Sequence, residues 1–152
     1  MSAFFPIAGQ YPGSATNDSA NAGNIGELIS ASLASGSAVS LTTATAKTVT
    51  SISLTPGDWD VHGVVVSFPA GSTVVTLAAA SISTTNNALT ALGSEGVNYI
   101  AGGTPTSTLY SLPTGTVRIS LSATTTVYLV AQLNFSVSTA TAYGAISARR
   151  VR

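Results

Sequence analysis

Along most of this chain, hydrophobic and polar residues alternate one by one. Ile52 and Leu54 interleave with Ser51 and Ser53, and Val117, Ile119 and Leu121 interleave with Arg118, Ser120 and Ser122. A longer run sets Val127, Leu129, Ala131, Leu133, Phe135 and Val137 on one side. Period two is the mark of a strand with one buried face. Breakers separate the runs: Pro56-Gly57, Pro69-Ala70-Gly71, Asn86-Asn87, Gly102-Gly103 and Pro113-Thr114-Gly115. No segment carries a convincing helical stripe. Gly26–Ala34 could be written as a short helix, but its Ser-rich alternation favours a strand. Many short strands punctuated this way predict an all-β fold, an antiparallel jelly-roll-like sandwich over residues 25–152. The 152 residues suit one such domain.

Residues 1–24 read differently, as an extended N-terminal arm. Phe4, Phe5, Pro6, Ile7, Tyr11 and Pro12 form a small apolar cluster, followed by the polar run GSATNDSANAGN. Such a composition cannot bury enough surface to order itself. An apolar cluster on such an arm suits docking onto another surface, and Phe4, Phe5, Ile7 and Tyr11 are its candidate anchors.

Composition narrows the partners. Asp, Glu, Lys and Arg make up only 7% of the chain and cancel to a net charge of zero, where ordinary soluble domains carry about 25%. Electrostatic capture of nucleic acid or an anionic membrane needs a concentration of Lys and Arg that is missing. Ser and Thr supply 44 residues and Ala 23, so the surface is wetted by hydroxyls. Low charge with 45% hydrophobic residues points to a surface covered by other chains. The uncharged run Leu28–Ala46 holds eight Ser or Thr, which argues against a transmembrane helix. Without cysteine there is neither a disulfide nor a thiolate metal site.

The stretch TPGDWDVH, Thr55–His62, concentrates what chemistry the chain has: two acidic residues, the only Trp and the only His. On a strand, Trp59 and Val61 face one way and Asp58, Asp60 and His62 the other. Three potential ligands then share a face, but Asp58 and His62 lie about 13 Å apart at the usual strand rise, too far to converge on one ion. The simpler expectation is that Pro56-Gly57 turns the chain, Asp58 accepts from free backbone donors, and Trp59 enters the core. Asp58 and Asp60, about 7 Å apart by the same rise, keep a glycan-cleaving carboxylate pair formally open. No nucleophile elbow, HExxH, P-loop or dinucleotide fingerprint occurs, and neither enzyme activity nor a metal or cofactor is expected. The tail ARRVR, Ala148–Arg152, holds three of the five basic residues. It suits a final strand ending in solvent or a clamp on carboxylates between subunits; the interface, with Arg149 and Arg150 in it, is the expectation rather than nucleic acid.

Four stretches carry a resemblance: GNIGE (residues 23–27), SLTPGDWDV (Ser53–Val61), VRISLSATTTVYLVAQ (Val117–Gln132) and YGAISARRVR (Tyr143–Arg152). Over about residues 24–152 the chain resembles a family of small phage and prophage virion proteins, described as structural or tail proteins. The layout also resembles trimeric jelly rolls of the tumour-necrosis-factor and complement-C1q kind. That resemblance implies a homotrimer, with Tyr128, Tyr143 and Ile146 near the threefold axis. The role it implies is a capsid decoration or cement protein on the virion surface, held by its arm to the major capsid protein or another virion protein. The alternative is the receptor-binding tip of a tail or head fibre. In that case the loops Asn86–Ser94 and Gly102–Ser107 would meet a host surface glycan or protein, with Tyr99 and Tyr110 the nearest aromatic residues.

Overall fold

The alternation is realised as ten strands in a computed structural model, which describes residues 19–104 and 109–152, the side chains of 102–104 apart. They are β1 (Leu28–Leu33), β2 (Val39–Leu41), β3 (Lys47–Leu54), β4 (Gly57–Pro69), β5 (Val74–Ser83), β6 (Val97–Thr104), β7 (Tyr110–Pro113), β8 (Val117–Leu121), β9 (Thr125–Ser136) and β10 (Ala140–Arg150). A single 3-10 turn, Ser35–Ser37, joins β1 to β2. The anchors Phe4, Phe5, Ile7 and Tyr11 lie outside the described residues, as do residues 105–107 of the Gly102–Ser107 loop, whose first half belongs to β6.

Pairing is nested. β1 pairs β10, β3 pairs β9, β4 pairs β7 and β8 in succession, and β5 pairs β6, all antiparallel. Successive nested pairs fall in alternate sheets. The first sheet runs β1-β10-β4-β7, with β2 also on β10 and β8 also on β4; the second runs β3-β9-β5-β6. This is a jelly-roll-like sandwich, as the turn spacing predicts. Gly26–Ala34 contributes a strand, since Ile29, Ala31 and Leu33 pack on the core while Leu28, Ser30 and Ser32 are exposed.

The core lies between the sheets and takes every second residue of the long strands. Leu54, Trp59, Val61, Val65, Val127, Leu129, Ala131 and Leu133 are fully buried. The expected β9 face is correct from Val127 through Phe135, but Val137 lies beyond the strand. It adopts φ 57° and is 67% exposed, because the turn into β10 passes through Val137 and Ser138 in the left-handed region.

β4 and β10 form the spine, paired over eleven positions from Ala140↔Pro69 to Arg150↔Trp59. They approach closely at Gly63 and Gly144. A Cβ on Gly144 would lie inside the Val64 carbonyl group, so only glycine fits there.

Candidate functional site

The outer face of the first sheet carries two contrasting zones. Seven of the chain's ten acidic and basic residues collect at one end of this sheet: Asp58, Asp60, Arg118 and Arg149 on its outer face, Glu27 and Arg150 on the core-facing side, and Arg152 in the tail. Strand register does the gathering. Arg149, Asp60 and Arg118 stand side by side on β10, β4 and β8, and Asp58 faces Ser120 in the next row.

Two of these residues are buried in a clasp between the segment that enters β1 and the end of β10. Arg150 is 5% exposed. Its Nε donates to Glu27 Oε2 at 2.9 Å, one terminal nitrogen donates to the Pro56 carbonyl at 2.7 Å, and the other donates to Thr55 Oγ1 at 2.5 Å. The guanidinium lies 4.3 Å from the centroid of the Trp59 ring, a stacked cation–π contact. Glu27 Oε2 also accepts from the Gly23 backbone N–H at 2.8 Å. That bond above all, helped by Arg150 and opposed by burial, holds the Glu27 carboxyl below its ordinary range. Gly26 N–H donates to the Arg150 carbonyl, and Arg150 N–H to the Glu27 carbonyl. The segment entering β1 is thus tied to the end of β10.

Asp58 forms the second clasp. It is buried rather than set at a backbone turn, and its Oδ2 accepts from Arg118 at 2.7 Å and from Arg152. The Ser120 hydroxyl, then Arg118 and Arg152, hold its carboxyl well below the usual carboxylate range. The expectation that Asp58 accepts from free backbone donors is therefore corrected: β8 and the tail bring it guanidinium groups instead. Trp59 enters the core as expected, fully buried, with Nε1 donating to the Thr55 carbonyl at 2.9 Å.

Beyond the charged zone the same face turns apolar. Val64, Val66 and Phe68 on β4 stand beside Ala145, Tyr143 and Thr141 on β10. Phe68 is 51% exposed, and Val64, Val66, Tyr143 and Ala145 are half-buried. Between the zones lies an open hollow of about 350 Å³ lined by His62, Val64, Pro113, Thr116, Ala145 and Ser147. Its floor exists because Ala145 and Ser147 are small and because Thr114 folds inward, with its hydroxyl accepting from Gly63 N–H at 2.9 Å. Among the described residues no group of three His, Asp or Glu side chains is placed to hold a metal ion, and Asp58, Asp60 and His62 are strung along β4 as strand spacing requires.

The five residues expected at a trimer interface do not share one face of a single chain. Tyr143 and Arg149 lie on the outer face of the first sheet. Tyr128 lies on β9 between buried Val127 and Leu129, so it faces outward from the opposite sheet. Ile146 is 1% exposed in the core, and Arg150 is committed to its own chain's Glu27. The tail clamp is intramolecular at Arg150 and Arg152, and Arg149 alone of the named pair reaches solvent. Arg152 belongs to the tail expected to clamp carboxylates, and it does so within the chain, whereas Glu27 and Arg118, which complete the clasps, carry no signal in local sequence.

A second hollow, about 380 Å³, sits at one end of the sandwich. Ser83, Thr84, Thr85, Thr90, Glu95 and Ile119 are among its walls. The Asn86-Asn87 turn that shapes it is pinned to β3, where Thr48 N–H donates to Asn87 Oδ1 at 2.8 Å and Thr48 Oγ1 donates to Asn86 Oδ1 at 2.7 Å.

Comparison with protein-family models, with curated proteins and with solved structures gives no match. What defines the class of this protein is its own architecture: a jelly-roll-like β-sandwich with a two-zone outer face.

Proposed function

We propose that this chain is a structural protein of a bacteriophage virion, a homotrimeric capsid decoration or cement module anchored by its N-terminal arm. The observation that carries the proposal is the outer face of the first sheet. Val64, Val66, Phe68, Tyr143 and Ala145 form a contiguous, half-exposed apolar zone in a chain with very few charges to keep it soluble. A second copy packed there removes that surface from water. The charged zone supports a threefold arrangement. Among the described residues Asp60 and Arg149 make no ion pair within the chain, and they stand at one height across the strands. A rotation axis parallel to the strands sets Asp60 of one copy level with Arg118 or Arg149 of the next. Of the residues expected at the axis, Tyr143 and Arg149 are kept in this proposal, and Val66 and Phe68 join them.

The arm supports attachment to the capsid, since Phe4, Phe5, Ile7 and Tyr11 have the chemistry of a hydrophobic plug for a neighbouring virion protein. Many moderate attachments would stabilise the shell by mass action. The alternative is a receptor-binding tip. The hollow beside Glu95 is the feature that favours it: the hydroxyls of Ser83, Thr84, Thr85 and Thr90 share its walls with Ile82, Leu89, Val117 and Ile119, a mixed polar and apolar recess that a host surface glycan could enter.

Native mass measurement at low micromolar concentration tests the assembly. Three chains of 15.1 kDa per particle are expected, and Val66→Asp or Phe68→Lys should release folded monomers. A wild-type chain that is monomeric, or variants that remain trimeric, would count against this face.

A further inference from the structure

Among the described residues the sandwich has four strand edges, and three of them are guarded. β3 is bulged between Thr48 and Thr50, and Asn87 occupies its free Thr48 N–H. β6 has a register break against β5 and contains Gly102 and Gly103. The edge of β7 and β8 is interrupted over residues 114–116 and carries Arg118. The fourth edge is β1 followed, after the 3-10 turn, by the short β2 on the same strand β10; its β1 part is the unbroken sequence LISASL, with no charge, proline or bulge. Natural edges of this kind are usually blunted, because their open N–H and C=O groups template another strand.

We propose that β1 pairs antiparallel with β1 of a second copy about a twofold axis, in the register that sets Ala31 opposite Ala31. Backbone phase is consistent with this. The Gly26, Glu27 and Arg150 bonds fix the ladder, and antiparallel alternation then engages Ile29, Ala31 and Leu33 with β10. The backbone groups of Leu28, Ser30 and Ser32 are left directed outward from the edge. In the proposed register Ser30 exchanges hydrogen bonds with Ser32 of the second copy. Side-chain complementarity is consistent too. Ile29 faces Leu33 of the second copy and Ala31 faces Ala31, which covers core residues that are only half-buried at this open edge. Hydroxyl meets hydroxyl on the outer face. A twofold axis sets a strand against its own sequence, so the absence of charge from β1 avoids like-charge opposition. Six residues bury a small area, so the pairing belongs to the weak, concentration-dependent class. It joins trimers to one another and uses none of the apolar zone assigned to the trimer.

The test exploits the lack of cysteine. Ala31→Cys places the sole thiol at a non-hydrogen-bonded pair, where Cα atoms approach to about 4.5 Å. Under mild oxidation the full-length Ala31→Cys chain is expected to convert to a disulfide-linked dimer, whereas Ser53→Cys on the guarded β3 edge stays largely monomeric. Adding Ser30→Lys should abolish the cross-link. Adding Ser30→Lys together with Ser32→Glu should restore it, because the new lysine faces the new glutamate of the second copy. An Ala31→Cys chain that cross-links no faster than Ser53→Cys overturns the pairing, including the case where another segment of the same chain covers the edge. Failure of the double charge variant to restore cross-linking overturns the register. A fold check by circular dichroism on each variant separates these outcomes from unfolding, and loss of the trimer alone would leave the cross-link intact.

Discussion

Arg150→Ala is the perturbation that most strains the account of the clasp. The arginine is buried and serves Glu27, Thr55 and Pro56 at once while stacking on Trp59. Its removal leaves Glu27, itself 8% exposed, as a buried carboxylate with only the Gly23 N–H. Breaking one side of a buried pair costs about 3–5 kcal/mol, and the stranded Pro56 carbonyl pushes toward the upper end. Domains of this size are stable by roughly 5–15 kcal/mol, so a large share of the total is at stake. In a thermal melt the midpoint should fall by roughly 6–20 °C, taking about 2–4 °C per kcal/mol at this chain length. Replacing both partners, Glu27→Leu with Arg150→Met, should cost clearly less than Arg150→Ala alone, because no buried charge is left unpaired. Urea denaturation of the three proteins measures the comparison. A cost for Arg150→Ala below about 1 kcal/mol, the range of an exposed ion pair, would refute the reasoning, as would a double variant worse than the single one.

Other outcomes follow from the same structure. Trp59→Ala removes the largest fully buried side chain and should cost about 3–5 kcal/mol, read by chemical denaturation. Gly144→Ala forces a methyl into the Val64 carbonyl on the β4–β10 spine and should abolish soluble, folded protein, seen as loss of cooperative melting. Acid stability depends on Glu27 and Asp58, whose carboxyls are both depressed in the folded chain. Their contribution is fully present above the ordinary carboxylate range of about pH 4 and is lost as pH falls below it toward the folded values. Stability should therefore be level above about pH 5, roughly one unit above that range, and should decline only in stronger acid. Asp58→Asn should flatten that decline in a pH series of urea melts.

Strand alternation made the architecture legible, and Trp59 with Val61 was assignable to the core from parity alone. The clasps were not, because Glu27 and Arg150 are separated by 123 residues. No local pattern tells which distant strand brings a guanidinium to which carboxylate. Only the nesting of β1 on β10 does so. Parity bears on the expected trimer surface: Tyr143 and Ile146 are three residues apart, and Arg149 and Arg150 are adjacent, so a strand sends the members of each pair to opposite faces. Tyr128 needed the sheet order, since parity says that it faces away from Val127 and Leu129 but not which sheet it leaves. The apolar zone on the outer face was hidden for a related reason. Val64, Val65 and Val66 form a continuous hydrophobic run on β4, and such a run does not reveal that its two faces meet different environments.

Immunogold labelling of intact particles, from a culture that expresses the gene, tests the central claim most directly. The account predicts gold distributed over the capsid surface. Gold confined to tail or fibre ends would replace decoration by the receptor-binding alternative, and particles without gold, with the protein left in the soluble fraction, would contradict a virion role altogether.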